Sequence, residues 1–253
     1  MDERGRCFVI TFGRSGSSLL CAMLGDAGAD FGLPVPDSWD PRHGVMELPA
    51  IKQAAHHMRR AFDIDGGRRF VLSPQVEAKF RRGRARRYLR QALGAARYVK
   101  IGDLDLLVQM GFSLGYSPRV IVNLRRLEDS LSSTLVGRKH LGPDHLAADY
   151  ARICRQGLAL IQTFGGCVVD YEDMLTGAEG VWIDAVAAVT GLEATALRSA
   201  ARRRVNAPTR PPAIGIALYD ECQALYAALT ALRGRVFEPS APVKRARPES
   251  YPG

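Results

Sequence analysis

Four short apolar, β-branched runs punctuate the chain and alternate with stretches of helical spacing. The runs are 7–12 (CFVITF), 97–101 (RYVKI), 119–124 (RVIVNL) and 167–170 (CVVD). Runs of this length, apolar on successive positions, predict strands buried on both faces. Segments 19–27, 47–62, 75–93, 104–115, 128–136, 146–164, 181–189, 194–201 and 214–232 are predicted as helices. Pro49 falls in the first turn of the 47–62 segment, where proline is tolerated. Residues 29–45, with Gly, Pro and Trp39, are expected to form a loop. Strands alternating with helices predict an α/β fold of three layers, a central parallel β-sheet flanked by helices. No internal repeat or linker interrupts the pattern. Residues 1–238 are therefore expected to form a single α/β domain, and 239–253 a basic, Pro-rich, mobile tail.

Composition narrows the class. The chain has 253 residues, 47% hydrophobic and 24% charged, which excludes a disordered or collagen-like protein. No apolar run approaches the ~20 residues of a membrane span. Asp2 and Glu3 make the start acidic, and Gly13, Arg14 and Gly16 break the apolar stretch behind them, so no signal peptide is read there. A soluble, cytoplasmic protein is the expectation. The five cysteines are odd in number and lack a CxxC pair, which predicts buried reduced thiols. The five histidines have no ligand spacing, so no metal is expected.

Charge adds a direction. The net charge is +9, and 30 of the 35 basic residues are arginine. Arginine forks match phosphate and sulfate oxygens in pairs of hydrogen bonds, so the excess suits an anionic ligand. The basic residues are spread along the chain, with dense stretches only at 81–90 and 202–204. There is no RGG run and no aromatic-interleaved stripe, so nucleic acid is not the expected partner.

Three segments carry candidate chemistry. The first is Thr11-Phe12-Gly13-Arg14-Ser15-Gly16-Ser17-Ser18, between the first strand and the first helix. Small residues there let backbone N–H groups curl around an anion, and the helix N-terminus adds partial positive charge. Arg14 supplies a full charge, and Ser17 and Ser18 supply hydroxyls. This is a P-loop-like phosphate cradle, but the lysine of a nucleoside-triphosphatase loop is missing, with Ser17 in its place. The second segment runs from Asn123 through Arg125 to Ser133: an arginine leaves a strand and serines follow on the next helix. The third, Asp170-Tyr171-Glu172-Asp173-Met174, follows the last strand with acids at a helix start. Taken singly, each is also what an ordinary turn, strand end or helix cap looks like.

In this order, the three segments resemble the sulfotransferase family, which uses 3′-phosphoadenosine 5′-phosphosulfate (PAPS). Arg14-Ser15-Gly16-Ser17-Ser18 matches the family's [KR]-S-G-[ST]-[ST] loop. Arg125 and Ser133 match its strand-end arginine and the serine eight residues on, with Asp129 between them and Leu127 a mild departure. Tyr171-Glu172-Asp173-Met174 is similar to its Tyr-Glu-Asp-Leu segment. The resemblance spans residues 7–175.

The resemblance implies a sulfotransferase that moves a sulfuryl group from PAPS to an acceptor hydroxyl, releasing adenosine 3′,5′-bisphosphate without a metal. Gly13, Arg14, Ser15, Gly16, Ser17 and Ser18 would bind the 5′-phosphosulfate, and Arg125 and Ser133 the 3′-phosphate. The catalytic His of cytosolic small-molecule members has no counterpart at Lys100-Ile101-Gly102-Asp103, and the C-terminal RKGxxGxWK segment is absent. The chain therefore looks more like the bacterial, carbohydrate-type or tyrosyl-protein-type branches, which use a carboxylate base. Gly44-Val45-Met46-Glu47 resembles a Gly-x-x-Glu element of bacterial members. Glu47 is the first candidate base, Asp103 the second and His43 the third, with Arg14 neutralising the leaving group. Arg202–Arg204 and Arg210 are weaker candidates to cover the nucleotide. For His56, His57, Trp39 and the 81–90 arginines, surface roles are the expectation, and no spacing argument assigns them to an acceptor site. A small-molecule or carbohydrate acceptor, with its hydroxyl on a sugar, lipid or secondary metabolite, is expected. The alternatives are a nucleotide-dependent phosphotransferase and a non-enzymatic anion- or nucleic-acid-binding module.

Overall fold

In the computed structural model, four strands form one parallel sheet: β1 Gly5–Thr11, β2 Tyr98–Ile101, β3 Ser117–Leu124 and β4 Gly166–Asp170. The structure describes residues 3–13, 15–34, 46–62, 74–102, 105–137, 143–175, 180–204 and 220–240. The strand order is β2-β1-β3-β4, with Val9 opposite Lys100, Thr11 opposite Asn123 and Leu124 opposite Asp170. The α/β class expected from the alternation is the one found.

Ten helices surround the sheet among the described residues. They are α1 Ser17–Asp26, α2 Pro49–Ala61, α3 Pro74–Ala95, α4 Asp105–Ser113, α5 Leu127–Gly137, α6 Pro143–Phe164, α7 Tyr171–Leu175, α8 Trp182–Thr190, α9 Ala194–Arg204 and α10 Asp220–Thr230. Most boundaries fall within a few residues of the periodicity. The first part of the expected 214–232 helix lies outside the described residues, as does most of the 239–253 tail.

Alternation along each strand divides the core in two. Phe8, Ile10, Val99, Val120 and Val122 point to one face, where α2, α3, α4, α5, α6 and α10 pack. Cys7, Val9, Ile121, Cys167 and Val169 point to the other, under α1, α7, α8 and α9. Helices on both faces explain why the strands read as continuous apolar runs rather than alternating ones. All five cysteines are free and buried.

The order of the strands positions the site. From β1 the chain moves to one side to form β2, then crosses to the other side for β3 and β4. The direction reverses between β1 and β3, and such a switch point leaves a crevice at the carboxyl ends of the two strands.

Candidate active site

At that crevice the loop from Phe12 to Gly16 leaves β1 and enters α1. Gly16 is the N-cap of α1 with φ 84°, a left-handed conformation that costs any residue with a Cβ. A Cβ at Gly16 would also stand 2.2 Å from Cδ2 of Tyr171. The position requires glycine twice over. Gly13, by contrast, has open space where a Cβ would be.

Buried side chains tie the loop to the neighbouring strand. The Ser15 hydroxyl donates to Asn123 Oδ1 at 3.0 Å and is in short contact with the Thr11 hydroxyl. Asn123 Nδ2 in turn donates to the Val169 carbonyl at 3.4 Å. Ser15 and Asn123 are each almost fully buried. A chain of polar groups therefore links the ends of β1, β3 and β4, and holds the loop in register with the sheet. The Ser15 hydroxyl is committed to this bracing, and its N–H donates to the Phe12 carbonyl at 3.2 Å.

Lys100 is the residue that sequence reasoning missed. It sits on β2 with a 5% exposed side chain, and its ammonium donates to Ser18 Oγ at 2.8 Å. The same ammonium pairs with Glu47 Oε1 at 3.2 Å, and Lys52 pairs with Glu47 Oε2 at 3.2 Å. Burial by itself pushes the Glu47 carboxyl up, but the Lys100 charge and the hydrogen bonds from Lys52 and Lys100 outweigh it. The carboxyl is held below the usual carboxylate range and is ionised at neutral pH. Glu47 was expected to open a helix; it stands two residues before α2, which begins at Pro49 after the N-cap Leu48. Met46 just before it has φ 63°, an unusual conformation for a non-glycine residue, and its side chain is buried. The available signal for Lys100 was a charge inside an otherwise apolar strand.

Arg125 leaves the end of β3 with 7% exposure, its guanidinium 4.4 Å from the centre of the Tyr171 ring. Tyr171 thus lies between Gly16 and Arg125 and connects the loop to the strand-end arginine. The Arg125 carbonyl accepts a hydrogen bond from Tyr150 at 2.9 Å, and Tyr150 meets Phe12 edge-on at 5.2 Å between ring centres. Ser133 lies on α5, half-buried. Ser17 is buried in the first turn of α1.

Behind Tyr171, Asp170 ends β4 with 1% exposure and accepts from Tyr226 of α10 at 2.6 Å and from the Glu172 N–H at 3.2 Å. Burial pushes the Asp170 carboxyl up, against these hydrogen bonds. Arg233 Nη1 bridges to Asp173 at 3.0 Å. The cysteine nearest the Lys100–Glu47 pair, Cys21, is pushed up to about 12 by burial and offers no thiolate.

Arg14, Asp103, His43, Trp39 and Arg210 fall outside the described residues. Arg204 is placed away from the loop: it forks onto Asp26 at 2.7 and 2.9 Å, at the opposite end of α1 from Gly16. His57 is buried rather than on the surface, stacked on Tyr88 between α2 and α3, and burial followed by the Arg81 charge pushes its imidazole down. Among the described residues no group of His, Cys, Asp and Glu is arranged to hold a metal ion, and no helix is long and apolar enough to cross a membrane.

No family model matches the chain, and no curated protein does. A solved structure does: the sulfotransferase domain from the Synechococcus PCC 7002 olefin synthase. The likeness covers 91% of this chain and 97% of that one, with a TM-score of 0.50 and 15% identical residues. The chain therefore has the fold of a sulfotransferase domain.

Proposed function

We propose that this protein is a PAPS-dependent sulfotransferase acting on an acceptor hydroxyl of a small molecule or carbohydrate. The observation that carries the reading is Tyr171 lying against both Gly16 and Arg125 at the switch point between β1 and β3. One aromatic ring joins the three segments whose order in the sequence resembles the family, on a fold shared with a sulfotransferase domain.

The residues present suit a nucleotide with phosphate at both ends. A helix N-terminus, loop amides and the Ser17 and Ser18 hydroxyls gather at one end, with the Lys100 ammonium bonded to Ser18. The buried Arg125 fork stands at the other, and Ser133 is the second group we assign to the 3′-phosphate. When bound, the donor supplies an electron-poor sulfuryl group to in-line attack by the acceptor oxygen. The protein's part is then positioning and charge stabilisation. In this reading Gly13, Ser15 and Gly16 shape the backbone cradle, and Arg14 and Lys100 neutralise charge that develops on the leaving oxygen. Glu47, ionised and one-third exposed, takes the acceptor proton, with Asp103 as the other carboxylate at a strand end.

The test is thermal stabilisation of the purified protein by adenosine 3′,5′-bisphosphate beside ADP and ATP with magnesium. A ligand at 100 times its Kd adds about 2.7 kcal/mol, so its shift is readily measured. A shift that requires the 3′-phosphate supports the reading; a larger shift with ATP and magnesium moves it to the phosphotransferase.

A further inference from the structure

The α2–α3 pair is a feature that the proposed reaction does not use. α3 leads into β2 through Ala96 and Arg97 at the strand's amino end, so its first turns lie toward the side where the strands finish. Ala85, Leu89, Ala92 and Leu93 of α3 are buried in the core, whereas no residue from 75 to 84 is. The first half of α3 therefore extends beyond the core and packs against α2, with His57 and Tyr88 stacked between the two helices.

The outward face of this projection is strongly basic. Lys79, Arg82, Arg84, Arg86, Arg87 and Arg90 are all exposed, and none forms an ion pair among the described residues. The single acid of α3, Glu77, is already taken by Arg81 at 2.6 Å. The six cations span about 17 Å along the helix. Apolar side chains stand at the projecting end: Val76 and Phe80 are each 53% exposed and Phe62 is 38% exposed. They are three of the seven large apolar side chains exposed among the described residues; Val76 and Phe80 stand one turn apart on α3, and Phe62 directly follows α2. Arg82 lies over the Phe62 ring and Arg84 over the Phe80 ring.

We propose that this projection docks the protein on an anionic lipid bilayer. Cations in one exposed arc with apolar tips among them match the headgroup region, where basic groups meet lipid phosphates and rings enter the acyl boundary. A convex projection fits a flat, deformable surface, whereas a protein partner would need a groove shaped to receive it. Nucleic acid would use the arginines but leave Val76, Phe80 and Phe62 facing phosphate. The proposal is independent of the reaction above. If both hold, the docked enzyme would turn the carboxyl ends of its strands toward the membrane.

The experiment is co-sedimentation of the full chain with vesicles of phosphatidylcholine alone or with about 30% phosphatidylserine, at ~0.1 M and ~1 M salt. Binding is expected only to the anionic vesicles and only at low salt. R82E/R86E/R90E should lower the partition coefficient at least about tenfold. V76S/F80S should lower it several-fold while leaving the salt dependence in place. All five positions are exposed, so both variants should melt where the parent does; if one does not, the other variant and the salt series still decide. Absence of binding to anionic vesicles at low salt overturns the proposal. So does unchanged binding by both variants, or binding to RNA or to an acidic protein that far exceeds binding to the vesicles.

Discussion

Lys100 and Glu47 pair at 3.2 Å, with the ammonium 5% exposed and the carboxylate 32% exposed. The pair joins the edge strand β2 to the segment before α2, and Ser18 of α1 completes it. Removing the Glu47 charge takes a counter-ion from a buried ammonium, and a buried charge that loses its counter-ion is costly. E47Q should lose roughly 1–3 kcal/mol at pH 7, less than the roughly 3–5 kcal/mol of a fully buried broken pair because the carboxylate is partly solvated. The sign with pH follows from its depressed pKa. Its stabilisation is present above the unfolded carboxylate value and is lost as pH falls through the lower folded value. Urea titrations from pH 6 to pH 3 should show the E47Q penalty shrinking. A penalty independent of pH would mean that the pair contributes nothing.

The part in turnover proposed for Lys100 is tested by removing its charge. K100M should reduce kcat by at least about 100-fold if the ammonium meets developing charge, the range found for a lost electrostatic donor. The loss of its charge should also move the acidic limb of the pH–rate profile upward, because the Lys100 charge opposes protonation of Glu47. A K100M enzyme with normal turnover and an unmoved limb would restrict Lys100 to a structural role.

Gly16 faces two penalties, a left-handed backbone and the Tyr171 ring. G16A should cost at least about 2 kcal/mol, since strained backbone of this kind costs about 1–3 kcal/mol before any clash. In a double-mutant cycle with Y171A, the steric part should be recovered and the backbone part should remain. Strict additivity of the two substitutions would show that the ring yields freely.

Arg125 is assigned to the 3′-phosphate, and the assignment has a specific signature. R125K keeps the charge but loses the fork, and should weaken adenosine 3′,5′-bisphosphate at least about tenfold. Binding of a nucleotide without the 3′-phosphate should be nearly unchanged. Calorimetric titration of both ligands decides it; equal weakening of the two would remove Arg125 from that role.

Tyr226 closes α10 onto the end of β4 through Asp170. Y226F should cost roughly 1.5–3 kcal/mol, the range for a hydrogen bond to a charged group. Asp170 is already pushed up by burial, and its contribution declines as pH rises through its folded pKa. Loss of the Tyr226 donor raises that pKa further. The Y226F penalty should therefore be larger at pH 7 than at pH 4, as read from thermal melts.

Local patterns carried much of this architecture in readable form. The runs at 7–12, 119–124 and 167–170 read as strands covered on both faces, because side chains alternate and most on either face are apolar. The Gly/Ser loop from Gly13 to Ser18 reads as the anion cradle we propose because its residue types constrain the backbone locally. The order of the helices followed from periodicity in the same way. Strand order, however, depends on which edges pair, and that is set by helix packing over long separations. The crevice between β1 and β3 is a product of that order, and so is the Ser15–Asn123 bond between residues 108 apart. The Lys100 contacts to Ser18 and Glu47 and the Tyr171 contact with Gly16 arise similarly. Arg204, by contrast, was drawn away to Asp26 by the direction of α9, which no local pattern states. Periodicity records only which side of an element is buried; the partner on that side is chosen when the elements assemble.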